Sequence, residues 1–268
     1  MHGPGRRLLN WARSRLLNGV GKSQRAFFVT LNGHRYKRVV CGDSVQAAAV
    51  AAALEDCRDV VGLPEVVLAQ ENEVWVRFVE GRRVEAGTES DWLALNDFFA
   101  ALYAKEPRLV DLAETRLHPR LLVDLDFLRD SGVLDESRHT TLCGRAEQLR
   151  PARLWLGYDY LDPVLKNFVI NDQGLFAVDI ESLEAGVALG TGIAKSGLHW
   201  LGADRQRFLE RLCRQPGVPD LKAQLGYVEL CLLAAWTKRK LLTGKWSRVR
   251  SQPFDRFCGA HPDSLGNP

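Results

Sequence analysis

The chain has 268 residues, of which 46% are hydrophobic and 26% are charged. That composition is ordinary for a globular protein and allows one two-lobed domain or two small ones. The formal net charge of only +3 excludes any case for polyanion binding that rests on net charge alone. The six cysteines are scattered without CxxC spacing. This pattern argues against a zinc site or a disulfide framework and predicts reduced thiols in a cytoplasmic protein.

Basic residues are concentrated near the two ends of the chain. Residues 6 to 17 combine leucines and a tryptophan with arginines, the pattern of an amphipathic basic helix. Two alternatives stay open for this helix: it lies on the inner face of a membrane, or it packs on the domain. No apolar run reaches the ~18 residues that a membrane span needs, so membrane contact would be peripheral. The basic residues are Arg6, Arg7, Arg13 and Arg15 at the start, and Lys238, Arg239, Lys240, Lys245, Arg248 and Arg250 near the end.

The first part of the chain predicts a small β-rich unit with one helix. Asn32-Gly33 is a pair typical of a type I′ hairpin turn, and β-forming residues flank it on both sides. Asp43 or Ser44 would cap the helix, with Gln46 reaching back if Asp43 is the cap. An alanine-rich run follows the cap and favours the helix by propensity. The predicted strands are residues 26–31, 34–40, 65–69 and 74–79, and the alanine-rich run is residues 47–55.

A short hinge at Glu80 to Thr88 separates this unit from a mainly helical second part. Apolar residues recur there with helical periodicity. One small hairpin, with a polar turn at residues 171–174, interrupts the helices near the middle of the second part. The predicted helices are residues 91–104, 120–130 and 135–149 and most of 204–242, and the hairpin strands are 164–170 and 175–180.

The central hairpin carries the residues with the clearest chemistry. Asp162 is followed by Asn167 five residues later, and Asp179 stands twelve residues further on, at the end of the second strand. This order of D-x-x-x-x-N, strand, turn and strand-end Asp resembles the catalytic loop and metal-binding motif of the protein-kinase-like superfamily. The hairpin would bring Asp179 back beside Asn167.

The resemblance covers roughly residues 15 to 185. It implies an α+β, two-lobed protein-kinase-like fold, with a small β-rich N-lobe holding one main helix and a larger, mostly helical C-lobe. It also implies a reaction that uses ATP and Mg²⁺, in which Asp162 is the catalytic base and Asn167 and Asp179 are metal ligands. The expected boundaries are an amphipathic basic segment at residues 1–18, the N-lobe at 19–81 and the C-lobe at 82–268.

The front half of the chain resembles the small lobe of kinases. Gly19 and Gly21 would form a turn that covers the nucleotide phosphates through backbone N–H groups. Lys37 would contact the phosphates, oriented by Glu55 from the alanine-rich helix. A solvent-facing strand lysine and a surface charge at the helix end remain the plain alternatives for these two residues. Neighbouring rivals are Arg35 and Arg38 for Lys37, and Asp56 for Glu55.

The segment Phe78-Val79-Glu80-Gly81 resembles the lobe-connecting hinge of small-molecule kinases. The resemblance implies that the backbone around Glu80 meets the adenine edge of the nucleotide. Gly21-Lys22-Ser23, by contrast, only mimics the end of a Walker A loop. Leu16 stands where that motif needs a glycine, and a strand follows where a helix should, so the Walker interpretation is rejected.

Several positions depart from the kinase pattern. Tyr160 stands two residues before the presumed base, where the family usually has histidine. The lysine that Ser/Thr protein kinases place two residues after the base is absent, and Lys166 is the expected catalytic substitute. Asp159 competes with Asp162 as the base, although only Asp162 keeps the spacing to Asn167.

The second motif, Asp179-Ile180-Glu181, is a D-x-E sequence and not D-F-G. It is more similar to the motif of aminoglycoside, choline and other small-molecule kinases than to that of a regulated protein kinase. In length and character the chain also resembles bacterial lipopolysaccharide core sugar kinases.

The resemblance therefore predicts an ATP-dependent kinase that phosphorylates a hydroxyl acceptor. The expected acceptor is a small molecule or a lipid-linked sugar such as a lipopolysaccharide core sugar, with peripheral contact at the inner face of the membrane and no nucleic-acid partner. One alternative is a kinase of another small molecule or of a protein. Another is a pseudokinase scaffold that binds nucleotide without transferring phosphate.

Overall fold

The computed structural model describes residues 25–85, 88–245, 249 and 251–259. The expected amphipathic segment and the expected glycine turn at Gly19 and Gly21 lie outside these residues. The strands are β1 Arg25–Leu31, β2 His34–Val40, β3 Val66–Gln70, β4 Glu73–Arg77, β5 Arg82–Arg83, β6 Arg108–Asp111, β7 Arg153–Tyr160, β8 Phe168–Asn171, β9 Gly174–Ala177 and β10 Leu183–Ala188. The helices are α1 Ser44–Asp56, α2 Glu89–Tyr103, α3 Leu117–Asp130, α4 Glu136–Leu149, α5 Thr191–His199, α6 Arg205–Leu212, α7 Lys222–Leu242 and α8 Gln252–Cys258.

A four-stranded antiparallel sheet of order β1-β2-β4-β3 forms the N-lobe. The β1–β2 hairpin turns at Asn32 and Gly33, whose φ angles of 51° and 80° lie in the left-handed region that a type I′ turn requires. Helix α1 begins at the cap Asp43, whose Oδ1 accepts from the backbone N–H of Gln46 at 2.8 Å. The Gln46 side chain accepts in return from the N–H of Gly42 at 2.9 Å. These local predictions are confirmed.

Two three-stranded sheets, β5-β8-β9 and β10-β7-β6, lie with the helices of the C-lobe. The chain thus has the expected α+β architecture of a β-rich N-lobe and a mainly helical C-lobe. The predicted strand at residues 164–170 is wrong at its start, because Leu165–Asn167 forms a 3₁₀ turn and β8 begins only at Phe168. Sequence patterns also missed β5, β6, β7, β10, α5 and α8.

One hydrophobic cluster runs through both lobes. It joins Val39 and Val76 of the N-lobe sheet to Phe98 and Phe99 of α2 and to Tyr160 at the end of β7. A second cluster lies inside the C-lobe and packs α3, α4 and α8 around α7. Because the first cluster crosses the lobe boundary, burial of apolar surface holds the two lobes together. Within the described residues, no helix has the length and apolarity needed to cross a membrane.

The segment between the lobes is fixed to the C-lobe. Its residues Arg82 and Arg83 form β5 and pair with β8. Arg82 donates two hydrogen bonds to the carboxylate of Asp91, which is 1% exposed at the start of α2. A Cβ at Gly81 would lie 2.6 Å from the carbonyl oxygen of Ile170, so only glycine allows this close approach. The segment thereby enters the C-lobe along the hairpin that carries the candidate site.

Candidate active site

The loop after β7 and the β8–β9 hairpin bring three of the predicted residues together. The side-chain amide of Asn167 donates to the carbonyl oxygen of Asp162 at 2.8 Å and to Oδ2 of Asp179 at 3.3 Å. The hydroxyl of Ser182 donates to the same Oδ2 at 3.1 Å. Asn167 is buried, whereas the Asp179 carboxylate keeps 37% of its surface exposed. The arrangement leaves the Asp179 carboxylate and the amide oxygen of Asn167 as neighbouring oxygen ligands.

Lys37 reaches this group from the N-lobe. Its ammonium nitrogen donates to the carbonyl oxygen of Val178 at 2.8 Å and lies 3.7 Å from Oδ1 of Asp179. The same nitrogen lies 3.7 Å from Oε2 of Glu181. Arg35 and Arg38, the alternatives in the same strand, are engaged elsewhere, with Glu80 and Glu73 respectively. The structure therefore brings Lys37, and neither arginine, to the hairpin motif.

The expected pairing of Lys37 with Glu55 is wrong. Glu55 is exposed at the end of α1, because the face of α1 that turns inward is built from alanine, valine and leucine. It lines a hollow on the surface together with Asp59 and Lys105. Glu181, which sequence reasoning left without a role, occupies the place next to Lys37 instead. The D-x-E sequence was the available signal for Glu181.

Tyr160 replaces the usual histidine and ties the two motifs together. It is fully buried, and its hydroxyl accepts from the backbone N–H of Asp179 at 3.2 Å. Burial raises the pKa of this hydroxyl well above its usual value, so it stays a neutral hydrogen-bonding group. Tyr160 thus links the end of β7 directly to Asp179.

Asp159 has a structural position, so of the two aspartates only Asp162 remains a candidate for the base. It is 0% exposed and accepts from the Tyr103 hydroxyl at 3.0 Å and from the backbone N–H groups of Tyr160 and Gly192 at 2.7 and 3.0 Å. Burial raises its pKa to about 7, against the opposing effect of these hydrogen bonds. A carboxylate enclosed in this way cannot reach an acceptor hydroxyl, so Asp162 is the one available at the surface of the loop.

The cation beside Asp162 is Lys195, not Lys166. Lys195 lies on α5, and its ammonium nitrogen is 3.3 Å from Oδ1 of Asp162. Its side chain is 13% exposed, whereas Lys166 points into solvent. The expectation that Lys166 takes the place of the missing lysine is therefore not supported. No local motif marks Lys195, because its partner stands thirty-three residues earlier in the chain.

The expected hinge residue Glu80 lies between the lobes. Its carboxylate pairs with Arg35, whose guanidinium stacks 3.9 Å from the ring centroid of Phe78. Its carbonyl oxygen accepts from the side-chain amide of Asn171 at 2.9 Å. The backbone at Glu80 is thus held against the β8–β9 hairpin.

The residues of the hairpin motif fit a magnesium ion. Mg²⁺ prefers carboxylate and carbonyl oxygens, and Asp179 and Asn167 offer these side by side. Oε2 of Glu181 is buried without a hydrogen-bond partner. Burial and the charge of Asp179 raise the pKa of Glu181, against the effect of Lys37. No group of three or more His, Cys, Asp or Glu residues is arranged around one point in the described ranges. Nucleotide phosphates would therefore have to complete the coordination.

These features together define the class of fold. A lysine from a β-rich N-lobe meets an Asn and an Asp from a C-lobe hairpin, with a further Asp on the preceding loop. This arrangement belongs to a protein-kinase-like fold.

Several solved structures similar to this chain are named as phosphotransferases or kinases. An aminoglycoside phosphotransferase, APH(4)-Ia, in a ternary complex with ADP and hygromycin B matches with a TM-score of 0.59 and 14% identity over 92% of each chain. The choline kinase LicA from Streptococcus pneumoniae matches with a TM-score of 0.61 and 11% identity over 97% of this chain and 100% of that one. A macrolide 2′-phosphotransferase type I matches with a TM-score of 0.61 and 13% identity, over 97% and 99%. No protein-family model and no curated protein sequence matches the chain.

Proposed function

We propose that this protein is an ATP- and Mg²⁺-dependent phosphotransferase that phosphorylates a hydroxyl group. The observation that carries the proposal is the convergence of Lys37, Asn167 and Asp179, which come from two lobes, beside an accessible Asp162. The fold comparison supports it, since the matching structures are named as phosphotransferases or kinases and several contain ADP or AMP-PNP.

The reaction follows from the positions of these groups. The acceptor hydroxyl gives its proton to the Asp162 carboxylate while its oxygen forms a bond to the γ-phosphorus of ATP. The bond between that phosphorus and the oxygen bridging to the β-phosphate breaks, and ADP leaves. Lys37 holds the phosphates, and Lys195 orients the Asp162 carboxylate. Mg²⁺, held by Asp179 and Asn167, would neutralise charge on the phosphate oxygens.

The proposal extends to the chemical class of the acceptor. We infer a small molecule or a lipid-linked sugar, and a lipopolysaccharide core sugar is the first candidate. The basic residues near the two ends of the sequence, apart from Lys238, which is paired with Asp124, support work near an anionic membrane surface. The absence of a D-F-G motif supports a small-molecule acceptor over a protein one.

The test measures thermal stability with and without Mg·ATP on the wild type and on Asp179→Asn, which keeps the size of the side chain. Ligand binding to the folded state raises the melting temperature, so we expect a magnesium-dependent rise in the wild type that is absent in the variant. Asp162→Ala should keep the rise yet lose phosphate transfer. A wild type that shows no rise at saturating Mg·ATP would overturn the proposed nucleotide site.

A wild type that is stabilised by Mg·ATP and yet transfers phosphate to no acceptor would instead support the pseudokinase alternative. In that case partner capture would be the next experiment.

A further inference from the structure

A surface of cations and aromatic rings adjoins Asp162. Lys195, the ion-pair partner of Asp162, also lies 5.4 Å from the ring centroid of Trp236 on α7. Lys240, one helical turn further along α7, places its ammonium nitrogen 3.0 Å from the same ring centroid. His199 on α5 meets the edge of that ring, with centroids 6.4 Å apart. These contacts run without interruption from the carboxylate of the base to the end of α7.

The charges on this surface are predominantly positive. Partial burial and the nearby ammonium groups of Lys195 and Lys240 lower the pKa of His199, against the opposing effect of Asp162. Among the residues that the structure describes, Asp162 is the carboxylate that acts on His199, and its proposed role as base directs it at the acceptor hydroxyl. A bound anion would therefore meet two ammonium groups and a protonatable imidazole.

Not every basic residue of α7 contributes to this surface. Lys238, two residues before Lys240, forms an ion pair of 2.7 Å with the buried Asp124 of α3. That ion pair connects α7 to α3 and accounts for the charge of Lys238. Lys240 lies on the Trp236 ring, on the face of α7 that turns toward α5.

We propose that the acceptor carries an anionic group close to the hydroxyl that is phosphorylated, and that Lys195, His199, Trp236 and Lys240 bind this group. The proposal rests on the proposed phosphotransferase function and names the chemical class of its acceptor. A phosphate or carboxylate would be held by the ammonium groups, and the carbon skeleton would lie on the indole ring.

A second space beside the catalytic loop has the opposite charge. A cavity of about 160 Å³ lies between the start of α2 and Leu165, with Trp92 and Trp200 in its walls. Its charged residues are Glu85, Glu89, Asp204 and Arg207, and Arg207 is paired with Glu89 at 2.7 Å. An acceptor with a positive charge would fit this cavity better than the surface next to Lys195. An acceptor bound in this cavity would carry a positive charge, whereas an acceptor bound at the surface next to Lys195 would carry a negative one.

The first experiment compares three hydroxyl compounds of similar size: glycerol 3-phosphate, glycerol and choline. ADP formation is measured for each, and vesicles containing phosphatidylglycerol present the same phosphate and hydroxyl groups at a lipid surface. We expect the anionic acceptors to have the highest kcat/KM, and the comparison of soluble and vesicle forms identifies the source of the anion. Equal or higher kcat/KM with glycerol or choline would overturn the proposal.

The second experiment needs no transfer. It follows the NMR titration of His199 in the full chain with Mg·ADP bound, with and without inorganic phosphate, after assignment by His199→Gln. We expect phosphate to raise the pKa of His199, and Lys240→Gln to weaken phosphate binding roughly 10- to 100-fold. Lys222→Gln, the same change at the exposed far end of α7, is the matched control and should behave as the wild type.

The outcomes separate this proposal from the proposed function. A His199 resonance that does not respond to phosphate, or the same response in Lys240→Gln as in the wild type, overturns the anion site whatever the transfer assay shows. Stabilisation by Mg·ATP reports on the nucleotide site independently. Loss of the anion response with intact Mg·ATP stabilisation would refute only the acceptor class.

Discussion

Glu181, and not the expected Glu55, lies beside Lys37, and this position gives the sharpest prediction about nucleotide binding. Glu181→Gln replaces the carboxylate by an amide of the same shape and removes one of the two negative charges beside Lys37. We expect Lys37 to hold the ATP phosphates less well, because its ammonium group loses the partner that fixes its position. The protein without nucleotide should not be destabilised. The raised pKa of Glu181 means that the fold disfavours its charged form.

The magnitude follows from the distance. Two unit charges 3.7 Å apart interact by roughly 4.5 kcal/mol at an effective dielectric constant of ~20, which is a ceiling for the effect. Both side chains are 13% exposed, so the solvent screens the pair only partly. Lys37 keeps its contacts with Asp179 and with the carbonyl of Val178. We therefore expect a loss of about 10- to 100-fold in Mg·ATP affinity, which corresponds to about 1.4–2.7 kcal/mol.

Isothermal titration with magnesium and a non-hydrolysable ATP analogue measures this loss, and thermal denaturation without nucleotide measures stability. Glu55→Gln is the matched control, because Glu55 is exposed, and it should change neither quantity. The reasoning is refuted if Glu55→Gln weakens binding as much as Glu181→Gln does, or if Glu181→Gln binds the analogue like the wild type.

Two further predictions concern stability. The Arg82 guanidinium lowers the pKa of the buried Asp91 to about 2. The pair therefore stabilises the fold by about 2 kcal/mol above pH ~4. This contribution disappears as the pH falls through ~2. Asp91→Asn should be less stable than the wild type by this amount at pH 7, and chemical denaturation should show the gap closing near pH 2; a gap that does not depend on pH would contradict the assignment. Gly192→Ala should cost about 1–3 kcal/mol in thermal denaturation, because its Cβ would lie 2.4 Å from the carbonyl oxygen of Tyr160. Gly197→Ala on the same helix meets no atom closer than 3.7 Å and should instead stabilise by roughly 0.5–1 kcal/mol, so similar effects of the two changes would refute the steric argument.

The parts of the fold that the sequence predicts well are those with a local cause. Asn32-Gly33 requires positive φ angles in a hairpin turn, and Asp43 caps α1 through a residue three positions away. The spacing of Asp162, Asn167 and Asp179 works in the same way, because a short turn and a hairpin suffice to bring them together. Each of these features depends only on residues that are close together in the sequence.

The parts of the fold that the sequence fails to predict depend on contacts between residues that are far apart in the chain. Helix α5 contains Gly192, whose presence lowers helix propensity but is demanded by the close approach to the end of β7. Strand β7 contains Gly157, which weakens a strand signal, and a Cβ there would come within 3.0 Å of the Leu189 side chain. Lys195 and Glu181 take the positions expected of Lys166 and Glu55 for the same kind of reason, since tertiary packing decides which charged side chain faces the cleft.

Contacts of the N-lobe and of the lobe-connecting segment with the β8–β9 hairpin limit how far the two lobes can move apart. Gly62, in the loop before β3, accepts from the N–H of Ala177 in β9 at 2.8 Å, while Gly81 lies against Ile170 in β8. The N-lobe and the segment that leaves it are therefore fastened to both strands of the hairpin, which ends two residues before Asp179, the residue that Lys37 contacts. Any rotation of one lobe against the other must pivot between the end of β4 at Arg77 and Gly81. A wide opening would break the Gly62 contact at a net cost of about 0.5–1.5 kcal/mol for each hydrogen bond lost. The connection between the lobes thus lies against the hairpin that separates Asn167 from Asp179, and the hydrogen bond between these two side chains lies within the C-lobe and does not depend on the angle between the lobes.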